Sequence, residues 1–236
     1  KKNKTKLYLL SPITYLRDKR YEIRDSSSTK FNYQNKNYSL PCLGRHQIKN
    51  AILCVEVAEH LGISTLSIKK GLSRAQQPLR MEIVSKNPLI ILDGAHNPDK
   101  MRTTVDTVRK CISAQVNKYD SNKRLTHLQT YTLTNLHLII GFSADKNVTK
   151  MIKQLASLKP KTIAVTRNTK NPFRKVADPQ SISKQFQKLS PNSKIQIFLD
   201  PQTAFNWSKS KTKTNDILLV TGSIFVSGEL RSQFGV

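Results

Sequence analysis

Cysteine and long apolar runs are scarce in this 236-residue chain, and each scarcity argues against a class of protein. The three cysteines lie far apart and form no Cys-x-x-Cys pair, which disfavours a disulfide framework and a zinc site. No apolar run approaches the roughly 18 residues of a membrane-spanning helix, and the basic N-terminal segment has too short an apolar part for a signal peptide. These features predict a cytoplasmic protein that crosses no membrane and holds no metal ion through its own residues.

Acidic residues are also few, with 15 Asp and Glu against 40 Lys and Arg, so the formal net charge is +25. Such a charge makes nucleic-acid binding a hypothesis that the sequence must answer. The basic residues are spread along the chain without a block of five or six like charges, and aromatic residues do not alternate with them. The charge therefore favours a solvated basic surface, and a nucleic-acid-binding protein is kept as an alternative.

Residues 88–100 predict a strand, a turn and a helix in succession. The unbroken apolar run from Leu89 to Leu92 is typical of a short strand that is buried on both faces. Gly94 then allows a sharp turn, and Asn97 followed by Pro98 is a common helix start. The polar residues of this turn therefore follow the carboxyl end of a buried strand.

Asp93 and His96 are the candidate functional residues of this turn. Ligands of open α/β sheets bind outside the carboxyl ends of the strands, so both side chains would face a crevice. A capped turn with a hydrogen-bonded Asp93 is an equally good interpretation of the spacing. That interpretation leaves His96 unexplained.

Two further polar residues, Asn50 and Arg80, precede this turn. Ile48 and Ile52 belong to an apolar stripe at helical spacing, and Asn50 lies off that stripe. Asn50 is therefore either a surface residue or an amide that pairs with a base edge or a polar ligand. Arg80 lies at a predicted domain junction, 77–80, and begins a predicted strand, 80–84. At such a junction it could bind a phosphate or form a surface ion pair.

The rest of the chain predicts the fold class. Residues 1–40 are typical of turns and short strands at the edge of a sheet, the first strand at 6–10, and 117–135 are typical of a long inserted loop. From 136 onward, short apolar runs alternate with helical patterns: the predicted strands are 136–140, 162–165, 195–199 and 217–220, and Asp178-Pro179 and Asp200-Pro201 are predicted helix starts. This alternation predicts an α/β protein with a mainly parallel, doubly wound, Rossmann-like sheet. The turn 221–223 ends the last strand, and its Ser223 is either a helix N-cap or part of an anion site.

Five segments together resemble the folate branch of the Mur ligase superfamily, which comprises dihydrofolate synthase and folylpolyglutamate synthase, often as one bifunctional enzyme. They occur in the family's order and span most of the chain from about residue 40. The most specific is Asp-Gly-Ala-His-Asn-Pro, which favours folate over cell-wall substrates. The matching segments are 43–51, 80–82, 92–98, 141–146 and 220–224.

The resemblance implies a reaction and a set of site residues. Such a ligase uses ATP and Mg²⁺ to phosphorylate a dihydropteroate or folate carboxylate, and the amine of L-glutamate then attacks the acyl phosphate. By the same resemblance, Asn50 would contact the adenine, Arg80 the terminal phosphate and Asp93 the ribose region of ATP. His96 and Ser223 would bind the incoming glutamate, with His96 as the catalytic residue. Lys146 matches a family position without an assigned role, and a monomer is expected.

The chain also departs from the family pattern. Leu79 replaces the usual Gly before Arg80, and Asn147 replaces the usual Asp after Lys146. No glycine is followed by Lys and then Ser or Thr, so the sequence contains no phosphate-binding P-loop.

The family carries that loop and its Mg²⁺ ligands in the upstream part of its central domain. We therefore expect residues 1–79 to be the tail of a second α/β domain, the ATPase, and 80–236 the glutamate-ligase domain. Such a chain would be inactive alone. The alternative is a non-catalytic module that binds a nucleotide or metabolite.

Overall fold

The computed structural model describes residues 21–25, 28–116 and 135–235 of the chain. The predicted strand at 6–10 and nearly all of the predicted loop at 117–135 lie outside these residues. The first part of the described chain forms a three-stranded antiparallel sheet followed by two helices. These elements are β1 (Tyr21–Asp25), β2 (Ser28–Tyr33), β3 (Lys36–Leu40), α1 (Arg45–His60) and α2 (Thr65–Arg74).

A small apolar core joins these two helices to the antiparallel sheet. Ile48 and Ile52, from the predicted helical stripe, are almost fully buried on the inner face of α1. They pack in one cluster with Phe31 and Tyr38, whose rings stack with centroids 5.4 Å apart. The cluster fixes the orientation of α1, and with it the direction in which Asn50 points.

The second part is a six-stranded sheet with helices on both faces. Its strands are β4 (Glu82–Lys86), β5 (Leu89–Leu92), β6 (Leu136–Ile140), β7 (Thr162–Val165), β8 (Lys194–Ile197) and β9 (Ile217–Thr221). Its helices are α3 (Pro98–Val116), α4 (Val148–Ala156), α5 (Pro179–Leu189), α6 (Pro201–Lys211) and α7 (Ile224–Arg231), followed by a short 3₁₀ turn at Ser232–Phe234.

The strand order is β4-β5-β9-β6-β7-β8, with β4 antiparallel to β5 and all other neighbours parallel. The predicted mainly parallel α/β fold is therefore confirmed. Every residue of β5, β6, β7 and β9 is buried, because helices cover both faces of these central strands. Two separate apolar clusters lie on the two faces of the sheet.

Aspartate caps start two of the helices as the sequence predicts. The Asp178 carboxylate accepts hydrogen bonds from Gln180 N and Ser181 N at the start of α5. The Asp200 carboxylate accepts one from Thr203 N at the start of α6. In both helices a proline occupies the first turn, where its missing N–H costs no hydrogen bond.

The predicted start of β4 at Arg80 is wrong, because the strand begins at Glu82. The backbone φ angles of Leu79 and Met81 are +57° and +51°, in the left-handed region that extended strands do not contain. Residues 79–81 therefore form an irregular connection rather than the first residues of a strand. This connection passes beside the turn that follows β5, since Gly94 N donates to Leu79 O at 2.7 Å.

Candidate functional site

A cavity of about 260 Å³ lies between α1, the connection at 77–81 and the start of α3. It brings together Asn50, Arg80 and Asp93, which come from three separate segments of the chain. The residues that line it are His46, Gln47, Asn50, Gln77, Arg80, Asp93, Ala95, Lys100, Thr103 and Thr104. His96 and Ser223 do not line this cavity.

Asp93 is buried and its carboxylate is hydrogen bonded by four donors. Oδ1 accepts from Ala95 N at 3.0 Å, from Thr104 Oγ1 at 2.7 Å and from Thr221 Oγ1 at 3.5 Å. Oδ2 accepts from Met81 N at 3.0 Å. The interpretation of a capped, satisfied aspartate is therefore correct as far as the hydrogen bonds go. The same carboxylate still lines the cavity, and Oδ2 retains a lone pair that can accept a further donor.

Arg80 is held between two residues with left-handed backbone, Leu79 and Met81. Leu79 N donates to Glu82 Oε2 at 2.8 Å, and Met81 N donates to the Asp93 carboxylate. These bonds hold a conformation that costs about 1 kcal/mol or more per non-glycine residue. The positive φ of Leu79 also gives a physical reason why glycine is expected at this position.

Gln47 is a site residue that the sequence reasoning missed. Its side chain is 3% exposed, lines the cavity, and accepts a hydrogen bond from Asn50 Nδ2 at 3.2 Å. Gln47 Nε2 is buried and has no hydrogen-bond partner among the described residues. An unsatisfied buried amide is costly, so this N–H pair is a donor ready for a ligand. The signal was a second amide three residues before Asn50 on the same helix.

His46 lies beside the cavity as a neutral ring. Burial lowers the pKa of His46 below its ordinary value; the nearby charge of Asp93 opposes this shift and that of Arg80 adds to it. At pH 7 His46 is therefore uncharged. The positive charge at the cavity comes from Arg80 and Lys100.

His96 does not line the cavity but contacts Lys100, which does. His96 Nδ1 lies 2.7 Å from Gly94 O, and because a carbonyl oxygen can only accept, Nδ1 carries the proton. His96 Nε2 is then the acceptor, 3.4 Å from Lys100 Nζ. This arrangement corresponds to the tautomer protonated on Nδ1, whose Nε2 lone pair faces Lys100 Nζ; the ring is half-buried at the carboxyl end of β5.

Ser223 is buried and serves as the N-cap of α7, where its Oγ accepts from Phe225 N at 3.2 Å. The N-cap interpretation of the sequence is therefore confirmed.

The carboxyl end of β6, the strand next to the one that leads to Ser223, carries a charged cluster. Arg174 Nη2 donates to both Asp145 carboxylate oxygens at 3.0 Å, and Lys146 Nζ pairs with Asp145 at 2.9 Å. Since β6 and β9 are neighbours, this cluster shares one sheet edge with Ser223.

The described residues show neither a metal-binding cluster nor a membrane-spanning helix. Within these ranges, no three His, Cys, Asp or Glu side chains group together in a way that could hold a metal ion. None of the helices in the same part of the chain is long and apolar enough to span a membrane.

A family model for the C-terminal domain of dihydrofolate synthetase matches residues 77–233. The chain belongs to this family. The match covers the whole six-stranded sheet, the turn at Asp93 and the helix capped by Ser223.

Two curated relatives match over most of this chain. A probable bifunctional folylpolyglutamate synthase/dihydropteroate synthase of Haloferax volcanii is 28% identical over 195 residues, covering 82% of this chain and 20% of that protein. The dihydrofolate synthase/folylpolyglutamate synthase of Bacillus subtilis is 27% identical over 198 residues, covering 81% and 40%. The chain thus spans less than half the length of either relative.

The crystal structure of Mycobacterium tuberculosis folylpolyglutamate synthase complexed with ADP and AMPPCP has a similar fold. Its TM-score is 0.71 at 19% identity, covering 92% of this chain and 47% of that one.

Proposed function

We propose that this chain is the carboxyl-terminal part of an ATP-dependent ligase that joins L-glutamate to dihydropteroate or a (tetrahydro)folate through an acyl phosphate. The observation that carries the proposal is the cavity that gathers Asn50, Arg80 and Asp93 at the carboxyl end of β5. Residues 1–79 would belong to the ATPase domain and 80–236 to the glutamate-ligase domain.

The cavity residues suit the three parts of a nucleotide. The amides of Asn50 and Gln47 offer donors and acceptors on one side, which match the edge of an adenine. Asp93 has one lone pair left on Oδ2, enough for a single ribose hydroxyl. Arg80 and Lys100 supply two positive charges for the phosphates, and Arg80 is well suited to bidentate contact with phosphate oxygens.

The adjacent sheet edge suits a glutamate. Lys146 and Arg174 are cations that can bind its carboxylates, and Asp145 can bind its ammonium group. That ammonium must lose a proton before its nitrogen can attack. We assign this proton to His96 Nε2, the unprotonated nitrogen of the ring. The neutral nitrogen then bonds to the acyl carbon, and the bond from this carbon to the phosphate oxygen breaks. The second proton of the nitrogen leaves with the phosphate, which departs as hydrogen phosphate.

Other parts of such a ligase are supplied from outside this chain. The sequence has no Gly-Lys-Ser or Gly-Lys-Thr, and the described residues offer no carboxylate cluster for Mg²⁺. We propose that the P-loop and the Mg²⁺ ligands come from an ATPase part, and that the 236 residues alone do not catalyse ligation. Mg²⁺, when bound there, neutralises charge on the transferred phosphoryl group.

The test is ATP-dependent addition of glutamate to dihydropteroate and to tetrahydrofolate by the full-length protein. We expect His96→Ala to lower the rate by about 100-fold, the usual scale for loss of a general base. Arg80→Ala should weaken binding of AMPPCP, an ATP analogue that carries the terminal phosphate, by about tenfold or more, because one charge-assisted contact to phosphate is lost. Lys188→Ala, an exposed lysine on α5, is the control and should change neither value.

Three results would count against the proposal. Ligation by the 236-residue chain alone would contradict the need for a separate ATPase part. Normal activity in the Arg80 and His96 variants would remove these residues from the site. ADP binding by a full-length protein that ligates neither acceptor would favour the non-catalytic binding module instead.

A further inference from the structure

Lys100 connects the cavity to His96. It lies in the first turn of α3, and its half-buried side chain lines the cavity. Its Nζ lies 3.4 Å from His96 Nε2, the nitrogen that takes up the glutamate proton in the proposed reaction. Among the described residues, this ammonium group has no other hydrogen-bond partner. Two of its three N–H donors are therefore available to a ligand in the cavity.

The contact with Lys100 prevents His96 from accepting a proton. Because Nδ1 is bonded to Gly94 O, the ring has a single lone pair, on Nε2. An ammonium group can only donate, so it uses this lone pair when it bonds to the ring. Nε2 can therefore accept from Lys100 or take a proton from the glutamate ammonium, but not both. The proposed proton transfer requires that Nζ move away first.

The position of Lys100 does not favour a purely structural role. A cation in the first turn of a helix faces the positive end of the helix dipole, which is unfavourable. The nearby acid, Asp99, does not compensate, because it pairs with Arg102 at 2.8 Å. A bond of 3.4 Å to a neutral ring is long and weak. An anion that enters the cavity would offset the charge of Lys100 far better.

Phosphate oxygens are stronger partners for Lys100 than the imidazole ring. Hydrogen bonds between two charged groups are shorter and stronger than those to a neutral acceptor. The lysine stem is long and flexible, and the cavity that it lines also contains Arg80. The backbone at this position is held, since Lys100 N donates to Asn97 Oδ1 at 2.9 Å. A phosphate beside Arg80 would therefore draw Nζ from His96 by a change of side-chain rotamer.

We propose that Lys100 is a positioning residue that keeps His96 blocked until the cavity holds a nucleotide phosphate. The proposal rests on the proposed function, because it takes the cavity as the nucleotide site and His96 as the proton acceptor. Without a phosphate, Nζ occupies the lone pair of Nε2. When a phosphate binds, Nζ turns to its oxygens, and Nε2 becomes free to take a proton from the glutamate ammonium. Proton transfer is thereby restricted to the nucleotide-bound protein.

The first test follows the His96 ring by ¹⁵N NMR in the full-length protein, at about pH 8.5, where an ordinary histidine is neutral. The probe is AMPPCP with Mg²⁺. We expect AMPPCP to move the Nε2 signal toward that of an imidazole nitrogen without a donor. In Lys100→Met, which keeps the stem and removes the charge, the signal should have that value from the start and remain there. Lys188→Met, on the exposed side of α5, is the control and should behave as the unsubstituted protein.

The second test uses the affinity for AMPPCP, because two partners that compete for Nζ must oppose each other. Removal of the ring in His96→Ala should tighten AMPPCP binding by about three- to tenfold, the usual value of one hydrogen bond. The same substitution in a Lys100→Met background should have no effect. A contact that is only structural predicts no tightening in either background.

The outcomes separate this proposal from the function on which it rests. A His96 signal that stays unchanged when AMPPCP binds would overturn the role of Lys100 and leave the nucleotide site in place. So would an AMPPCP affinity that His96→Ala leaves unaltered. Failure of the unsubstituted full-length protein to bind AMPPCP would overturn both the role of Lys100 and the nucleotide site.

Discussion

Two buried aspartates lie at opposite ends of the parallel strands. Comparing them shows which feature distinguishes a candidate-site residue from a structural one. Asp93 follows β5 at the carboxyl edge, and Asp216 precedes β9 at the amino edge. They are 5% and 0% exposed, and both accept several hydrogen bonds. Burial and satisfied bonding are therefore shared by the two residues. The difference is that Asp93 opens onto a cavity with Arg80 and Lys100, whereas Asp216 does not line that cavity.

The surroundings of Asp216 indicate a structural role, because its hydrogen bonds link neighbouring strands. Its Oδ1 accepts from Asn135 N and Nδ2 at 3.1 and 2.8 Å, and its Oδ2 accepts from Lys213 N at 2.9 Å. Oδ2 also lies 3.2 Å from His137 Nε2, while His137 Nδ1 lies 2.8 Å from Thr162 Oγ1. Thr, His and Asp thus form a chain that resembles a nucleophilic triad. All three are buried at the amino edge, so we interpret the chain as a link between β7, β6 and β9.

The largest expected effect comes from Asp216→Ala. The substitution leaves His137 and two backbone N–H groups without their acceptor in a buried place. We expect the free energy of unfolding to fall by about 3 to 5 kcal/mol, measured by urea denaturation.

If the comparison between the two aspartates holds, the folded fraction of this variant keeps its affinity for ADP. Asp216→Asn, which preserves shape and one acceptor, should lose less stability and serves where the alanine variant does not fold. A normal stability for Asp216→Ala would remove the distinction between the two ends of the sheet.

The next effect is a dependence of stability on pH that originates at the amino edge. Burial lowers the pKa of His137, more than its hydrogen bond to Asp216 raises it. The unfolded chain therefore takes up the proton first, and stability is present above the ordinary histidine pKa of about 6.5 and is lost as pH falls below it. His137→Gln should flatten the fall of unfolding free energy over that range.

The fall of unfolding free energy with falling pH has a second source with the same sign. Burial also lowers the pKa of His46, so His46→Gln should remove a separate share of the dependence. Denaturant titrations at several pH values between 5 and 7.5 measure both shares. A slope that is unchanged in the double variant would show that these histidines are not its cause.

The smallest effect concerns Ser223, where one hydroxyl has both a structural and a proposed functional role. Ser223→Ala removes the N-cap of α7 and should lower the free energy of unfolding by about 1 kcal/mol. Asp200→Ala removes the cap of α6 and should cost a similar amount. If Ser223 also binds glutamate, only its variant raises the KM for glutamate in the full-length protein. Equal KM values would leave Ser223 as a cap alone.

The sequence predicted the central strands well, because continuous apolar runs between helix starts have few other interpretations. The predicted bounds of β5, β6 and β7 agree with the structure to the residue. The predicted strand 195–199 differs from the observed edge strand β8, which spans Lys194–Ile197. Its residues are mostly exposed, so no buried run fixes the ends of this strand.

The site was predicted only in part, for a different physical reason. Asn50, Arg80 and Asp93 were each singled out, and the structure places them around one cavity. Gln47 and Lys100 were missed because burial and an unpaired amide are properties of the folded chain. The His137 chain was also missed, since its members are separated by up to 79 residues. Roles in ATP or glutamate binding remain proposals for all of these side chains.

The connection at 79–81 has a thermodynamic consequence for any ligand of Arg80. Its backbone is held by Gly94 N on one side and by the carboxylates of Glu82 and Asp93 on the other. Arg231 in turn clamps Glu82 with hydrogen bonds of 2.9 to 3.1 Å. The chain therefore loses its freedom here when it folds, and not when a ligand arrives. Binding of a ligand at the Arg80 guanidinium should therefore cost little backbone entropy. The affinity then depends mainly on the charge of the ligand.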